Sequence, residues 1–295
     1  MGRTPAPKDA ENHGVFSREL RAYAGPPQWT LAVLGAAAFV SLTAPILAPF
    51  HPDAQGSLTT SRLLPPLHSS FLYLFGTDDV GRDVFSRTLF GCRVSLGVGI
   101  AAALGAICIG TLVGLTSGMS RRFADAALMR IVDLFMAIPP LFLVIGLVAA
   151  FGPSIVTLVL VLSCTGWMQS ARIVRGEVLS LREREFIQAA RLLGLPDRKI
   201  MARHLLPNLA PVIVTSAILQ FGSAVLAEAA LGFLGLGVQP PTATWGNMMG
   251  ESVASLQTAW WVGFFPGAFL AAVLVASHRA SERGGRNPEA HVHDS

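Results

Sequence analysis

The chain has 295 residues, of which 52% are hydrophobic and 14% charged, and its mean hydropathy is +0.54. A soluble domain carries roughly a quarter of its residues as charged side chains, and soluble cores of this size could not hide such long apolar runs. A water-soluble globule is therefore excluded and a polytopic membrane protein is expected. The formal charge of +4 is too small to indicate nucleic acid by itself.

Residues 1–28 are polar and broken by Gly2, Pro5, Pro7, Gly25, Pro26 and Pro27, which predicts a flexible tail. The apolar run over 29–49 starts too far in and is too long for a cleaved secretory segment. It reads as an uncleaved first span. A hydrocarbon core of ~30 Å needs about 20 helical residues, and five further stretches approach that length: 94–119, 128–150, 155–173, 209–233 and 259–276. An all-α protein with six transmembrane helices follows. Phe151-Gly152-Pro153-Ser154 makes the third and fourth spans an antiparallel pair, and Pro139 with Pro140 predicts a kink in the third.

Basic residues of short loops stay on the cytoplasmic side. With the N-terminus inside, 18 Lys and Arg fall inside and four outside, namely Arg62, Arg82, Arg87 and Arg93. Both termini, including the tail 277–295, are predicted to be cytoplasmic. The outside segment 50–93 opens as a loop and then reads Gly76-Thr77-Asp78-Asp79-Val80-Gly81-Arg82-Asp83. Asp79 or Asp83 can cap a helix, and Val84, Phe85 and Leu89 recur at helical spacing, so a short interfacial helix is expected. Substrate or metal binding by the Asp/Arg group is the alternative to capping and packing.

Ionisable groups inside a span call for partners or a wet surface. Asp133, about one turn into the third helix, has Arg130 or the interface available. Glu228 lies near the outer end of the fifth helix, where it could face a pathway, and Pro139 and Phe233 are apolar gate candidates. Cys92, Cys108 and Cys164 stand singly in apolar stretches, with no disulfide framework or metal-binding pair; they read as packing residues. His291 and His293 sit in a polar tail and read as solvated.

The chain has no catalytic constellation of nucleophile, base or metal ligands. A phosphate-cradling GxxxxGK[ST] loop needs Gly before Lys, yet the only lysines are Lys8, after Pro7, and Lys199, after Arg198. If ATP drives this protein, another polypeptide binds it. The segment Arg172–Asn208 holds eight basic residues in a two-helix pattern. Val178, Leu179, Leu181, Phe186, Ala189, Ala190 and Leu193 suggest an amphipathic first helix, stopped by Gly194 with Pro196 beyond it. Asp197 is a plausible cap for a second helix carrying Ile200, Met201 and Leu205 and ended by Pro207. This pattern suits either a rigid knob for a protein cleft or a basic segment lying on anionic lipid.

Gln188-Ala189-Ala190-Arg191-Leu192-Leu193-Gly194, continuing to His204, Leu205, Leu206, Pro207 and Asn208, resembles the EAA loop of permease subunits in ATP-binding-cassette importers. Phe75-Gly76-Thr77-Asp78, Gly81-Arg82-Asp83-Val84-Phe85-Ser86-Arg87, the run Leu231 to Pro241 and Trp245-Gly246-Asn247 resemble its dipeptide/oligopeptide/nickel branch. The resemblance covers about 29–276 and implies a type I ABC importer permease fold, with a five-helix permease core at 94–276 and coupling helices at 175–206.

It further implies that Gln188, Ala189, Ala190, Gly194, His204 and Pro207 couple to an ATPase subunit, and that Gly76, Asp78, Gly81, Arg82, Asp83, Trp245 and Asn247 form an extracytoplasmic motif. The implied partners are a homologous permease, two ATP-binding subunits, an extracytoplasmic solute-binding protein and membrane lipid. No cofactor or metal is expected on this chain, since ATP and Mg belong to the partner subunits. The implied cargo is a dipeptide, an oligopeptide or a related small solute, carried through a half-pathway without chemistry of its own. The alternatives are an assembly protein or a secondary transporter with a lipid-binding basic loop; few buried charges are present to couple ions.

Two departures from the family pattern stand out. Gln188 occupies a position that is most often Glu, which replaces a charge-assisted contact with a neutral one. After Ala276 the chain reads Ser277-His278-Arg279-Ala280-Ser281-Glu282, for which a shortened last helix is expected.

Overall fold

The computed structural model describes residues 28–55, 61–67 and 73–284. The tail before residue 28 and the pair His291 and His293 lie outside the described residues. Among these residues the chain is helical, with one isolated bridge between Thr77 and Asp83. The helices are α1 (Gln28–Leu47), α2 (Val84–Met119), α3 (Arg122–Met136), α4 (Pro140–Phe151), α5 (Ile155–Leu181), α6 (Glu185–Leu192), α7 (Asp197–Ile200), α8 (Leu206–Phe233), α9 (Trp245–Ser252) and α10 (Trp261–Gly284). Five long apolar helices can cross a membrane: α1, α2, α5, the continuous run Asp197–Phe233, and α10.

The third expected span is a broken one: α3 and α4 meet at 80°. The cause is local. Neither Pro139 nor Pro140 has an N–H to continue the helical ladder, and Pro140 forces Pro139 into an extended conformation with ψ 126°. Pro139 O then accepts from Phe142 and Leu143 and starts α4 afresh.

The separate interfacial helix expected before residue 94 is instead the first part of α2, which runs 36 residues without a break. That is about 54 Å at ~1.5 Å per residue. Asp83 caps it, its carboxylate accepting from Ser86 N at 2.8 Å. Hydropathy interrupts the pattern at Arg87, but that side chain is buried and paired, so the helix continues through it. Close approach between α2 and α5 holds the bundle. A Cβ at Gly110 would lie 2.7 Å from Ser170 Cβ, and one at Gly118 would lie 2.6 Å from Val178 Cγ1, the small-residue packing by which membrane helices come together.

The last helix is not shortened: α10 continues past Ala276 to Gly284. Buried Ser277 and Ser281 satisfy their hydroxyls on Leu274 O and His278 O, at 2.9 and 2.7 Å, and Glu282 pairs with both His278 and Arg279. Cys92 packs in the core between α2, α8, α9 and α10, whereas Cys108 and Cys164 lie on exposed faces of the bundle.

Candidate functional site

At one end of the bundle, α5 projects past α3, turns at Arg182–Arg184 and enters α6. Ile187 and Ala190 are buried on Val178, Leu181, Ile200, Leu205 and Leu209, so α6 rides on a core of its own. The opposite face is bare: Leu192 is 89% and Leu193 79% exposed, and Phe186 and Ala189 are exposed beside them. Gly194 ends the helix at φ +76°, where Leu195 N donates to Ala190 O at 3.2 Å and Gly194 N to Arg191 O at 2.9 Å. This double closure fixes the chain direction after α6.

Asp197 does not cap α7. Pro196 holds the cap position without a side-chain hydrogen bond, and Asp197 is the acid of the first turn. Nor does Pro207 end the second helix. A π-helical turn, Met201–Leu205, widens the ladder ahead of it, the ring avoids the clash of a regular turn, and α8 continues directly. Gln188 is exposed, its amide donating to Glu183 O at 3.0 Å; His204 is half-buried and its carbonyl accepts from Asn208.

A cavity of 570 Å³ opens between α3, α4, α5 and α8. Both limbs of the broken helix wall it, from Phe135 to Val144, opposite Gln220 to Leu231 of α8. Of the four pathway candidates, Pro139 sits at the break beside this wall. Asp133 is ion-paired to Arg172 of α5, rather than to Arg130. Phe233 is half exposed at the end of α8. Glu228 turns away from the cavity: it is fully buried, it has no ion-pair partner among the described residues, and the hydroxyls of Ser95 and Thr244 face it.

At the other end the seven motif residues assemble into a packed lid. Asp78 Oδ2 accepts from Arg82 Nε at 2.6 Å, and Glu251 Oε2 accepts from Arg82 at 2.8 Å and from Arg87 at 3.0 Å. Two acids and two guanidiniums thus neutralise one another across 169 residues of sequence. Gly76 and Gly81 have positive φ, and a Cβ at Gly76 would strike Leu64 O. Trp245 is buried and donates from its indole to Thr88 O at 3.1 Å. Asn247 and Thr244 cap α9 reciprocally. Burial holds the Asp83 carboxyl above the ordinary carboxylate range, against the hydrogen bonds from Ser86. These contacts are those of caps and packing, and no cluster of three or more potential metal ligands occurs among the described residues.

Sequence reasoning missed Glu251, the ties from Arg172 and Arg175 to α3, and the cavity amides Gln169 and Gln220. Only the Arg172/Arg175 spacing, three apart on one helix face, offered a signal.

The bundle, with its bent helix pair, the cavity beside that bend and the bare ridge of α6 on a long connection, is that of a polytopic membrane protein. The family described as "binding-protein-dependent transport system inner membrane component" matches residues 110–286. A Brucella suis protein named as a peptide transport system permease is 40% identical over 231 residues, 77% of this chain and 76% of its own length. The dipeptide transport system permease protein DppC of Alkalihalophilus pseudofirmus is 45% identical over 202 residues, 68% of this chain and 66% of its own. Among solved structures, an inward-facing MetNI methionine ABC transporter chain is matched with a TM-score of 0.53 at 19% identity, over 66% of this chain and 95% of that one. The chain belongs to the binding-protein-dependent transport system inner membrane components, the permease subunits of ABC importers.

Proposed function

We propose that this chain forms half of the translocation pathway of an ATP-driven importer that carries peptides across the plasma membrane, and that it pairs with a homologous permease. The single observation that carries this reading is the bare ridge of Phe186, Leu192 and Leu193 on an α6 seated in its own core. A soft loop could not transmit force, and burying each leucine in a partner would yield about 1.5–3 kcal/mol. Two ATP-binding subunits supply that cleft and hold ATP and Mg. A solute-binding protein delivers cargo at the α9 end, and the excess of Lys and Arg at the α6 end supports a cytoplasmic location for both termini. Peptide cargo follows the names of the relatives.

ATP can reorient the bundle only if the α6 seat differs between ATPase states. The test is to express the chain with its neighbouring transport genes and purify the complex. A Phe186→Ser, Leu192→Ser, Leu193→Ser variant is expected to insert normally yet lose the ATP-binding subunits and all peptide uptake. Retention of stoichiometric subunits and wild-type uptake by that variant would refute the assignment.

A further inference from the structure

The four polar residues of the cavity are Thr165, Gln169, Gln220 and Ser223, none of them charged. Thr165 is already committed, its hydroxyl donating to Val161 O at 2.8 Å. Gln169 and Gln220 have no side-chain partner among the described residues, so two carboxamides are left free, with the Ser223 hydroxyl beside them, in a wall that is mostly apolar. Gln220 is held in place by a gap in α5: a Cβ at Gly166 would collide with Gln220 Nε2. Of the ionisable groups nearest in sequence, Glu228 is buried behind α8, and Asp133 and Arg172, both about half exposed, neutralise each other as an ion pair outside the cavity lining.

We infer that Gln169 and Gln220 are the specificity-determining residues of this half-pathway, and that they read the peptide group of the cargo. A carboxamide offers one acceptor and two donors in a plane, the complement of a peptide C=O and N–H. An apolar wall with no counter-charge penalises an ionised group placed against it. The portion of cargo passing this wall is therefore the uncharged peptide group. The volume of 570 Å³ falls within the range of small-molecule sites, about 300–1,000 Å³. This inference rests on the peptide-importer reading above.

The experiment uses the complete importer in proteoliposomes, with its binding protein at a fixed concentration and each probe titrated in turn. The probes are radiolabelled alanyl-alanine, its analogue methylated on the peptide nitrogen, alanyl-lysine and alanyl-glutamate. The wild type is expected to take up alanyl-alanine and to discriminate against the methylated analogue. A Gln169→Leu, Gln220→Leu variant is expected to raise the KM for alanyl-alanine about tenfold, with the maximal rate less affected, and to lose that discrimination. Because the leucine variant could misfold, Gln220→Glu serves as the second arm: it keeps the side-chain size and is expected to shift preference toward alanyl-lysine over alanyl-glutamate. Wild-type discrimination in the leucine variant, or an unchanged lysine-to-glutamate ratio in Gln220→Glu, overturns this inference alone. Failure of the wild type to take up any of the four probes overturns the peptide reading, and this inference with it.

Discussion

Arg175 of α5 grips Asp125 of α3 with two parallel hydrogen bonds, each 2.6 Å long, and Ser117 at the end of α2 donates to the same carboxylate. One helical turn away, Arg172 holds Asp133. Of the 15 residues in α3 only Val132 is buried, so these two ties do much of what packing does elsewhere in the bundle. They also connect the helix that leads into the knob with the helix that ends on the cavity wall.

The first prediction concerns that bidentate pair. Arg175→Lys retains charge but cannot form the fork, and Asp125→Asn retains shape but loses the charge. Each is expected to leave the complex assembled and its ATPase active while lowering uptake per ATP hydrolysed at least severalfold. In a double-mutant cycle the two changes should be strongly non-additive. Uptake and phosphate release measured on the same proteoliposomes check this.

A second prediction follows from the charge group at the α9 end. Glu251 accepts from two guanidiniums, and Arg87 is 1% exposed. Glu251→Ala removes the acceptor and leaves buried positive charge poorly compensated, with Asp78 as the remaining acid. Breaking a buried pair costs about 3–5 kcal/mol; the partial exposure of Glu251 argues for the lower end. A thermal melt in detergent is expected to show a lowered Tm, whereas Arg62→Ala, at an exposed position, leaves it unchanged.

These two clusters mark where sequence reading stops. Five spans and the apolar α3–α4 pair were legible because hydropathy over about 20 residues is a local property, and the 80° break was foreshadowed by Pro139 and Pro140. Gly194 announced the end of α6. Partners such as Arg82 and Glu251 lie far apart in the chain, and nothing in either neighbourhood names the other. The same ignorance split α2 in two, because an Arg reads as polar until its buried partners are known. The end of α10 was misjudged because a departure from the family pattern was read as a loss of helix, whereas Ser277 and Ser281 bond back to their own helix and let it continue. For the site, the knob was visible as a motif, whereas the cavity amides have a role only by the convergence of α5 and α8.

A third prediction separates a structural from a pathway role for Glu228. The residue is fully buried and only the hydroxyls of Ser95 and Thr244 face its carboxyl, so its ionised form has little to offset the loss of water. Glu228→Gln is expected to match or exceed the wild-type Tm and to transport normally, and Glu228→Ala to lose about 1–3 kcal/mol through the space it vacates. A transport defect in the Gln variant at unchanged Tm would instead give the carboxyl a direct part in moving cargo.

The last prediction tests whether rigidity of the knob matters apart from its surface. Gly194 stands at φ +76° with open space around its Cβ position, so Gly194→Ala meets no clash and costs only the left-handed backbone strain, about 1 kcal/mol. Since Gly194 N and Leu195 N close the end of α6 on Arg191 O and Ala190 O, that strain falls on the joint between α6 and α7. Leu192 and Leu193 remain exposed in the variant, so the ATP-binding subunits are expected to co-purify as before. The loss appears instead in coupling: uptake per ATP falls, and more steeply for Gly194→Val, whose β-branch deepens the strain. If both variants couple as well as the wild type, the knob transmits force through its apolar ridge alone and the closure at Gly194 is only a helix end.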